Sequence, residues 1–290
     1  MTLAINDTDN QTSADWGPTS LAVARFFGFI AICVALIPTY ALTRSFWPHK
    51  CPKLTVGFYK ALLRVIGFHV RVHGHMCPNI PTLFVSNHSS YLDIPVLGGI
   101  IPAYFVAKSD VAEWPLFGFL SRLQRTVFVE RQVMRTGEQA DTMRSRLAEK
   151  HSLILFPEGT SSDGMGVYPF KSSFFAVAED ISKDIALTVQ PVSVTCTELE
   201  GMPVTRSLRP IYAWYGDMTM VGHLWKVFCV GRLTVDVIFH AAVKPGDFSN
   251  RKMLAAYCQD QVSRGVEQCI TGRFTDANQP LLENLKVKAS

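Results

Sequence analysis

His88 and Asp93 lie five residues apart in the run Asn87-His88-Ser89-Ser90-Tyr91-Leu92-Asp93, directly after the apolar stretch Thr82-Leu83-Phe84-Val85-Ser86. An imidazole at a strand end can take a proton. A carboxylate beside it can fix the ring in one tautomer and stabilise the cation that forms. The spacing lets the chain leave the strand, turn, and bring Asp93 back toward His88 from the first turn of a helix that Pro95 helps to open. Alone, the pattern also fits a polar strand end followed by an ordinary helix start.

Three further strand ends follow in order: Val127-Phe128-Val129-Glu130-Arg131, Leu153-Ile154-Leu155-Phe156-Pro157-Glu158-Gly159-Thr160, and Val189-Gln190-Pro191-Val192. Each is a short apolar run closed by polar or turn residues, the pattern of buried strands in an α/β fold. Strands are expected over Val70–Val72, Leu83–Ser86, Ala103–Ala107, Val127–Glu130, Leu153–Phe156, Ile185–Val194 and Thr234–Phe239. Helices are expected over Thr136–Lys150 and from a cap at Asp247 or Ser249 to about Cys269.

Through these blocks the chain resembles the bacterial glycerolipid (lysophosphatidate-type) acyltransferases over roughly residues 69–245. NHSSYLD followed by FPEGT carries most of the resemblance. It implies acyl transfer from a thioester of acyl-carrier protein or coenzyme A to a lysolipid hydroxyl, without a cofactor or metal. His88 and Asp93 would be catalytic, and Asn87, Arg131, Glu158, Gly159, Thr160 and Lys171 would bind substrate. Backbone N–H groups of the turn after His88 are the expected oxyanion donors.

Many lysophosphatidate acyltransferases carry arginine directly after Glu-Gly-Thr, where this chain has Ser161. The segments Phe170–Phe175 and Ala213–Met218 are similar to those of lyso-ornithine lipid acyltransferases. The expected acceptor is therefore lyso-ornithine lipid. Lysophosphatidate acylation, or a membrane-anchored hydrolase using the same histidine to activate water, are the alternatives. Lys108 and Lys171 are candidate replacement cations, and Glu113–Leu120 is a candidate acyl-chain lining. The absence of G-x-S-x-G weakens an α/β-hydrolase reading.

Composition agrees with a membrane enzyme. Only 18% of the 290 residues are charged, and mean hydropathy is +0.16. A net charge of +4 gives nucleic-acid binding no support. Seven cysteines without a C-x-x-C pair argue against a disulfide framework. His69, His73, His75 and Cys77 share a strand region, but no second ligand cluster completes a metal site.

Phe26 to Thr43 contains no charged residue, which is long enough to span a bilayer. The basic residues after it (Arg44, Lys50, Lys53, Lys60, Arg64) place the following domain on the cytoplasmic side of a bacterial inner membrane. The expected organisation is a disordered tail over 1–18, a transmembrane helix over 19–44 and an amphipathic interfacial helix over 50–68. A single α/β acyltransferase domain follows over 69–274, a mixed sheet flanked by helices, and then a flexible tail over 275–290.

Overall fold

A computed structural model describes residues 17–47, 50–79, 81–108, 118, 122, 126–129 and 137–274. Arg131, most of the Glu113–Leu120 segment, the Lys108 side chain and residues 1–16 and 275–290 lie outside the described residues.

Two helices open the chain, α1 (Thr19–Phe46) and α2 (Cys51–Ile66). The strands are β1 (Phe68–His73), β2 (Thr82–Ser86), β3 (Tyr104–Lys108), β4 (Val127–Val129), β5 (Leu153–Leu155), β6 (Thr188–Leu199), β7 (Met202–Pro203) and β8 (Leu233–Phe239). Further α-helices among the described residues are α3 (Asp93–Gly98), α4 (Gly137–Ala148), α5 (Ala176–Ile181), α6 (Met220–Cys229) and α7 (Arg251–Thr271). The sheet order is β1-β8-β6-β2-β5-β3-β4, with β7 folded back on β6. Pairing is parallel except for β6–β8 and β6–β7. This is the expected mixed sheet flanked by helices.

The central strands β2 and β5 are buried along their whole length because both faces are covered. Phe84, Ile154 and Val192 point into a core shared with α1, α2, α3 and α6. Their strand neighbours Leu83, Val85, Leu153, Leu155 and Val189 point into a second core with α4, α5 and α7. The alternation follows the two-residue period of a strand. Parallel β2, β5 and β6 bring their carboxyl ends to one edge, where open α/β sheets place their sites.

Two boundaries and one helix depart most from expectation. The cap of α7 is Asn250, whose side chain accepts from the backbone N–H groups of Lys252 and Met253. Asp247 instead accepts from the Lys244 N–H in the preceding turn. Strand β6 runs on to Leu199, because the hairpin with β7 and the ladder to β8 satisfy its backbone beyond Val194. Helix α6 was not expected, and it supports α1.

Helix α1 is long and apolar enough to cross a membrane. One stripe of it, Ala22, Phe29, Cys33, Leu36 and Tyr40, is buried, while Phe27, Val34 and Leu42 are exposed. The stripe rests on α2 and α6. A Cβ on Gly28 would stand 2.8 Å from Val65, so glycine permits the close α1–α2 approach. Arg25 donates to the carbonyls of Phe228, Val230 and Gly231 at the end of α6, a favourable place for a cation. Helix α2 packs its apolar residues Phe58, Tyr59, Leu62, Leu63 and Ile66 inward. Lys53, Lys60 and Arg64 line its exposed side.

Candidate active site

Residues 87–93 leave the carboxyl end of β2 and turn into α3. The turn closes through the Asp93 N–H donating to Ser90 O at 3.0 Å. Asp93 is fully buried at the first position of α3, where the helix N-terminus favours a negative charge. Its Oδ2 lies 3.0 Å from His88 Nδ1 and accepts the N–H groups of Ser89 at 2.7 Å and Ser90 at 2.9 Å. Its Oδ1 accepts the Tyr212 hydroxyl at 2.7 Å. A carboxylate is an acceptor only, so the proton between the pair sits on Nδ1 and the Nε2 lone pair is left open. The ring stacks on Phe156 at 4.3 Å between centroids, and the side chain is 21% exposed. The imidazole is thus held on one face and by one nitrogen, with the other nitrogen available as a base.

The Glu-Gly-Thr turn lies beside this loop because β5 pairs with β2. Gly159 has φ +67°, a left-handed conformation suited to glycine, and its N–H donates to Phe156 O at 3.1 Å. Glu158 points inward and is 2% exposed. One of its oxygens accepts the His88 N–H at 2.6 Å, and the other accepts the Tyr168 N–H at 2.8 Å. Burial raises its carboxyl to about 8, the two N–H donors pull it down, and nearby Asp93 adds to the rise. Thr160 is exposed. The ammonium of Lys171 stands over the turn, 2.9 Å from where a Cβ on Gly159 would be.

Asn87 is also turned inward. Its amide donates to Val194 O and accepts Val194 N–H, both at 2.8 Å, which extends the β2–β6 ladder by a side chain. The structure therefore brings His88, Asp93, Asn87, Glu158, Gly159, Thr160 and Lys171 to one edge. The polar atoms of Asn87 and Glu158 are engaged with the protein's own backbone. Arg131 lies outside the described residues.

The expectation that the turn after His88 supplies oxyanion donors is corrected. The N–H groups of Ser89 and Ser90 both point at Asp93, and Leu92 N–H donates to Ser90 Oγ at 3.3 Å. The buried carboxylate draws them inward, away from any substrate.

Contacts from outside the quoted blocks complete the loop. Ser162 N–H donates to His88 O at 2.9 Å and Trp214 N–H to Ser89 O at 2.8 Å. Tyr212 and Trp214 belong to, or adjoin, the aromatic segment Ala213–Met218. In sequence that segment carries only its resemblance, and no local pattern in it foretells this geometry.

A buried carboxylate and a poised imidazole meet at the carboxyl edge of a mixed α/β sheet, with a Glu-Gly-Thr turn alongside. The acyltransferase family model matches residues 69–195. The chain is 37% identical to the lyso-ornithine lipid O-acyltransferase of Rhizobium meliloti (strain 1021), a match covering 86% of this chain and 88% of that one. It is 35% identical to the protein of the same description from Brucella abortus (strain 2308), over 84% of this chain and 93% of that one. The 1-acyl-sn-glycerol-3-phosphate acyltransferase of Neisseria gonorrhoeae is 27% identical, over 73% and 82% respectively. The crystal structure of the 1-acyl-sn-glycerophosphate acyltransferase from Thermotoga maritima has the same fold, with a TM-score of 0.65 at 22% identity, covering 88% of this chain and 97% of that one. The chain belongs to the acyltransferase family, and it is an O-acyltransferase of lipid biosynthesis.

Proposed function

We propose that the enzyme transfers a fatty acyl group from an acyl-carrier protein or coenzyme A thioester to the hydroxyl of lyso-ornithine lipid. His88 Nε2 removes the hydroxyl proton as the oxygen attacks the thioester carbonyl. The tetrahedral intermediate collapses with loss of the thiolate, which takes the proton back from the imidazolium. Asp93 holds the ring and its developing charge. Glu158 and Asn87 position the loop from beneath. Lys171, Gly159 and Thr160, with Arg131, receive the head group.

The observation that carries the acceptor is the 35–37% identity to lyso-ornithine lipid O-acyltransferases over most of the chain. The site chemistry agrees. A phosphate monoester is best held by several cations, often through bidentate arginine, and Ser161 stands where a second arginine is common in lysophosphatidate enzymes. A zwitterionic head group needs less positive charge. In this reading α1 anchors the enzyme in the bacterial inner membrane with the site on the cytoplasmic side. The basic stripe of α2 meets anionic head groups there.

The test uses full-length protein in vesicles with a labelled acyl thioester. Label entering lyso-ornithine lipid with higher kcat/KM than lysophosphatidate supports the reading, and Ser161→Arg is expected to shift preference toward lysophosphatidate. A wild type that acylates lysophosphatidate and ignores lyso-ornithine lipid overturns the acceptor. Label released as free fatty acid identifies a hydrolase.

A further inference from the structure

We infer that Tyr212 is a positioning residue for the acyl transfer, the third member of a His88–Asp93–Tyr212 relay. The inference rests on His88 and Asp93 acting as proposed above. Tyr212 lies beyond residues 69–195, the part matched by the family model.

The Asp93 carboxylate has two differently supplied oxygens. Oδ2 is fixed locally by the loop that carries it, through two backbone N–H groups and the imidazole. Oδ1 has no backbone donor among the described residues. Besides Tyr212 at 2.7 Å it has only a long contact from Ser89 Oγ at 3.5 Å, which is at the limit of a hydrogen bond. Rotation of the carboxylate about its Cβ–Cγ bond, which would tilt Oδ2 away from Nδ1, is opposed at Oδ2 by the two N–H groups and at Oδ1 by the tyrosine. The phenol is itself held: Tyr212 is 3% exposed, and its ring lies 6.1 Å from that of Phe68. Its N–H donates to Arg209 O at 3.0 Å. Burial, with Asp93 alongside, pushes its hydroxyl well above the ordinary phenol range. It keeps its proton and donates.

A donor on Oδ1 also sets how strongly the carboxylate attracts the imidazolium. It withdraws charge from Asp93 and lets the protonated ring release its proton to the departing thiolate. Other ionisable groups surround the pair. Glu158 approaches from the end of β5, and Cys196 of β6 and Arg209 line the pocket behind Asn87 and Ser89 with Tyr212. Tyr91 of the same loop is directed to His223 of α6 at 2.9 Å. Only Tyr212 and Ser89 bring a side-chain donor to Oδ1 among the described residues.

Tyr212→Phe removes the hydroxyl and keeps the ring. In full-length enzyme, kcat is expected to fall about tenfold, as for loss of a hydrogen bond to a charged group, with KM for the lysolipid unchanged. The acid limb of the pH–rate profile is expected to move to higher pH, because a more basic carboxylate holds the imidazolium longer. Site-specific 3-fluorotyrosine at 212, a stronger donor in the same fold, is expected to move that limb the other way. An unchanged kcat and pH profile in Tyr212→Phe, or limbs that move together in both variants, overturns the inference. His88→Ala run alongside separates the two readings. If it remains active the dyad itself fails; if it is inactive while Tyr212→Phe matches wild type, only the tyrosine's role fails.

Discussion

Asp93→Asn separates the charge of the buried carboxylate from its hydrogen bonding. Oδ2 receives three N–H donors, whereas the neighbours of Oδ1 are the hydroxyls of Tyr212 and Ser89. An asparagine therefore fits in one orientation, carbonyl on the Oδ2 side and NH2 on the Oδ1 side, where either hydroxyl can turn to accept. The variant is expected to fold with His88 in its native tautomer and to lack only the negative charge. With charge centres about 4 Å apart and an effective dielectric of about 20, that charge contributes ~4 kcal/mol to holding the imidazolium. At about 1.4 kcal/mol per decade this is roughly a thousandfold in kcat, an upper figure because the amide dipole remains. The assay is initial rates with thioester and lysolipid, paired with thermal unfolding. Asp93→Ala is the contrast, since it leaves the Ser89 and Ser90 N–H groups buried without an acceptor, at ~1–3 kcal/mol each. A folded Asp93→Asn enzyme with kcat within about tenfold of wild type would refute the electrostatic role, since general-base sites lose far more.

Glu158 yields a pH prediction. Its folded-state value of about 8 lies above that of an unfolded glutamate, so the folded protein binds the extra proton. The stability this adds is fully present below the unfolded value and is lost as pH rises toward 8. The Tm of wild type relative to Glu158→Gln is thus expected to fall between pH 5 and 8, and a constant difference would contradict it. Gly98→Ala would drive a methyl into the Tyr59 ring; over-packing of this kind costs ~1–3 kcal/mol, read as a lowered Tm with reduced activity because α3 carries Asp93. Removing residues 1–48 uncovers the surfaces of α2 and α6 that α1 buries. The remainder is expected to be less stable and to bind anionic vesicles more weakly, releasing them in high salt because the basic stripe of α2 is screened; a fully soluble remainder at low salt would exclude that stripe from membrane contact.

The dyad was legible because it is local. Five residues from strand end to helix start determine that His88 and Asp93 meet, and the apolar runs before each block identify the strands. What surrounds it depends on distant chain. Glu158 reads as a substrate ligand in sequence, yet its carboxylate faces the His88 N–H, 70 residues away. Asn87 pairs with Val194 across 107 residues. No local pattern tells a polar side chain at a strand end whether it faces substrate or a neighbouring strand. The oxyanion expectation failed for a related reason: whether N–H groups at a turn point outward depends on whether a buried carboxylate has already oriented them. Tyr212 was hidden by the same distance, 119 residues from Asp93.

The same geometry ties helix α1 to the loop that carries His88 and Asp93. Arg25 and Gly28 tie α1 to α6 and α2. Tyr59 of α2 lies against Gly98 at the end of α3, and the other end of α3 is Asp93. On the opposite side α6 presents His223 to Tyr91 of the His88–Asp93 loop. Both helices that support α1 therefore touch the loop or the helix that holds the carboxylate. A lysolipid hydroxyl stays within a few ångströms of the bilayer surface, because its acyl chain remains in the hydrocarbon. On the proposed mechanism, the base gains from being built onto the elements that would fix the enzyme's position relative to the membrane. Close packing at Gly28 and Gly98 couples these elements directly, and a flexible linker in their place would give that coupling up.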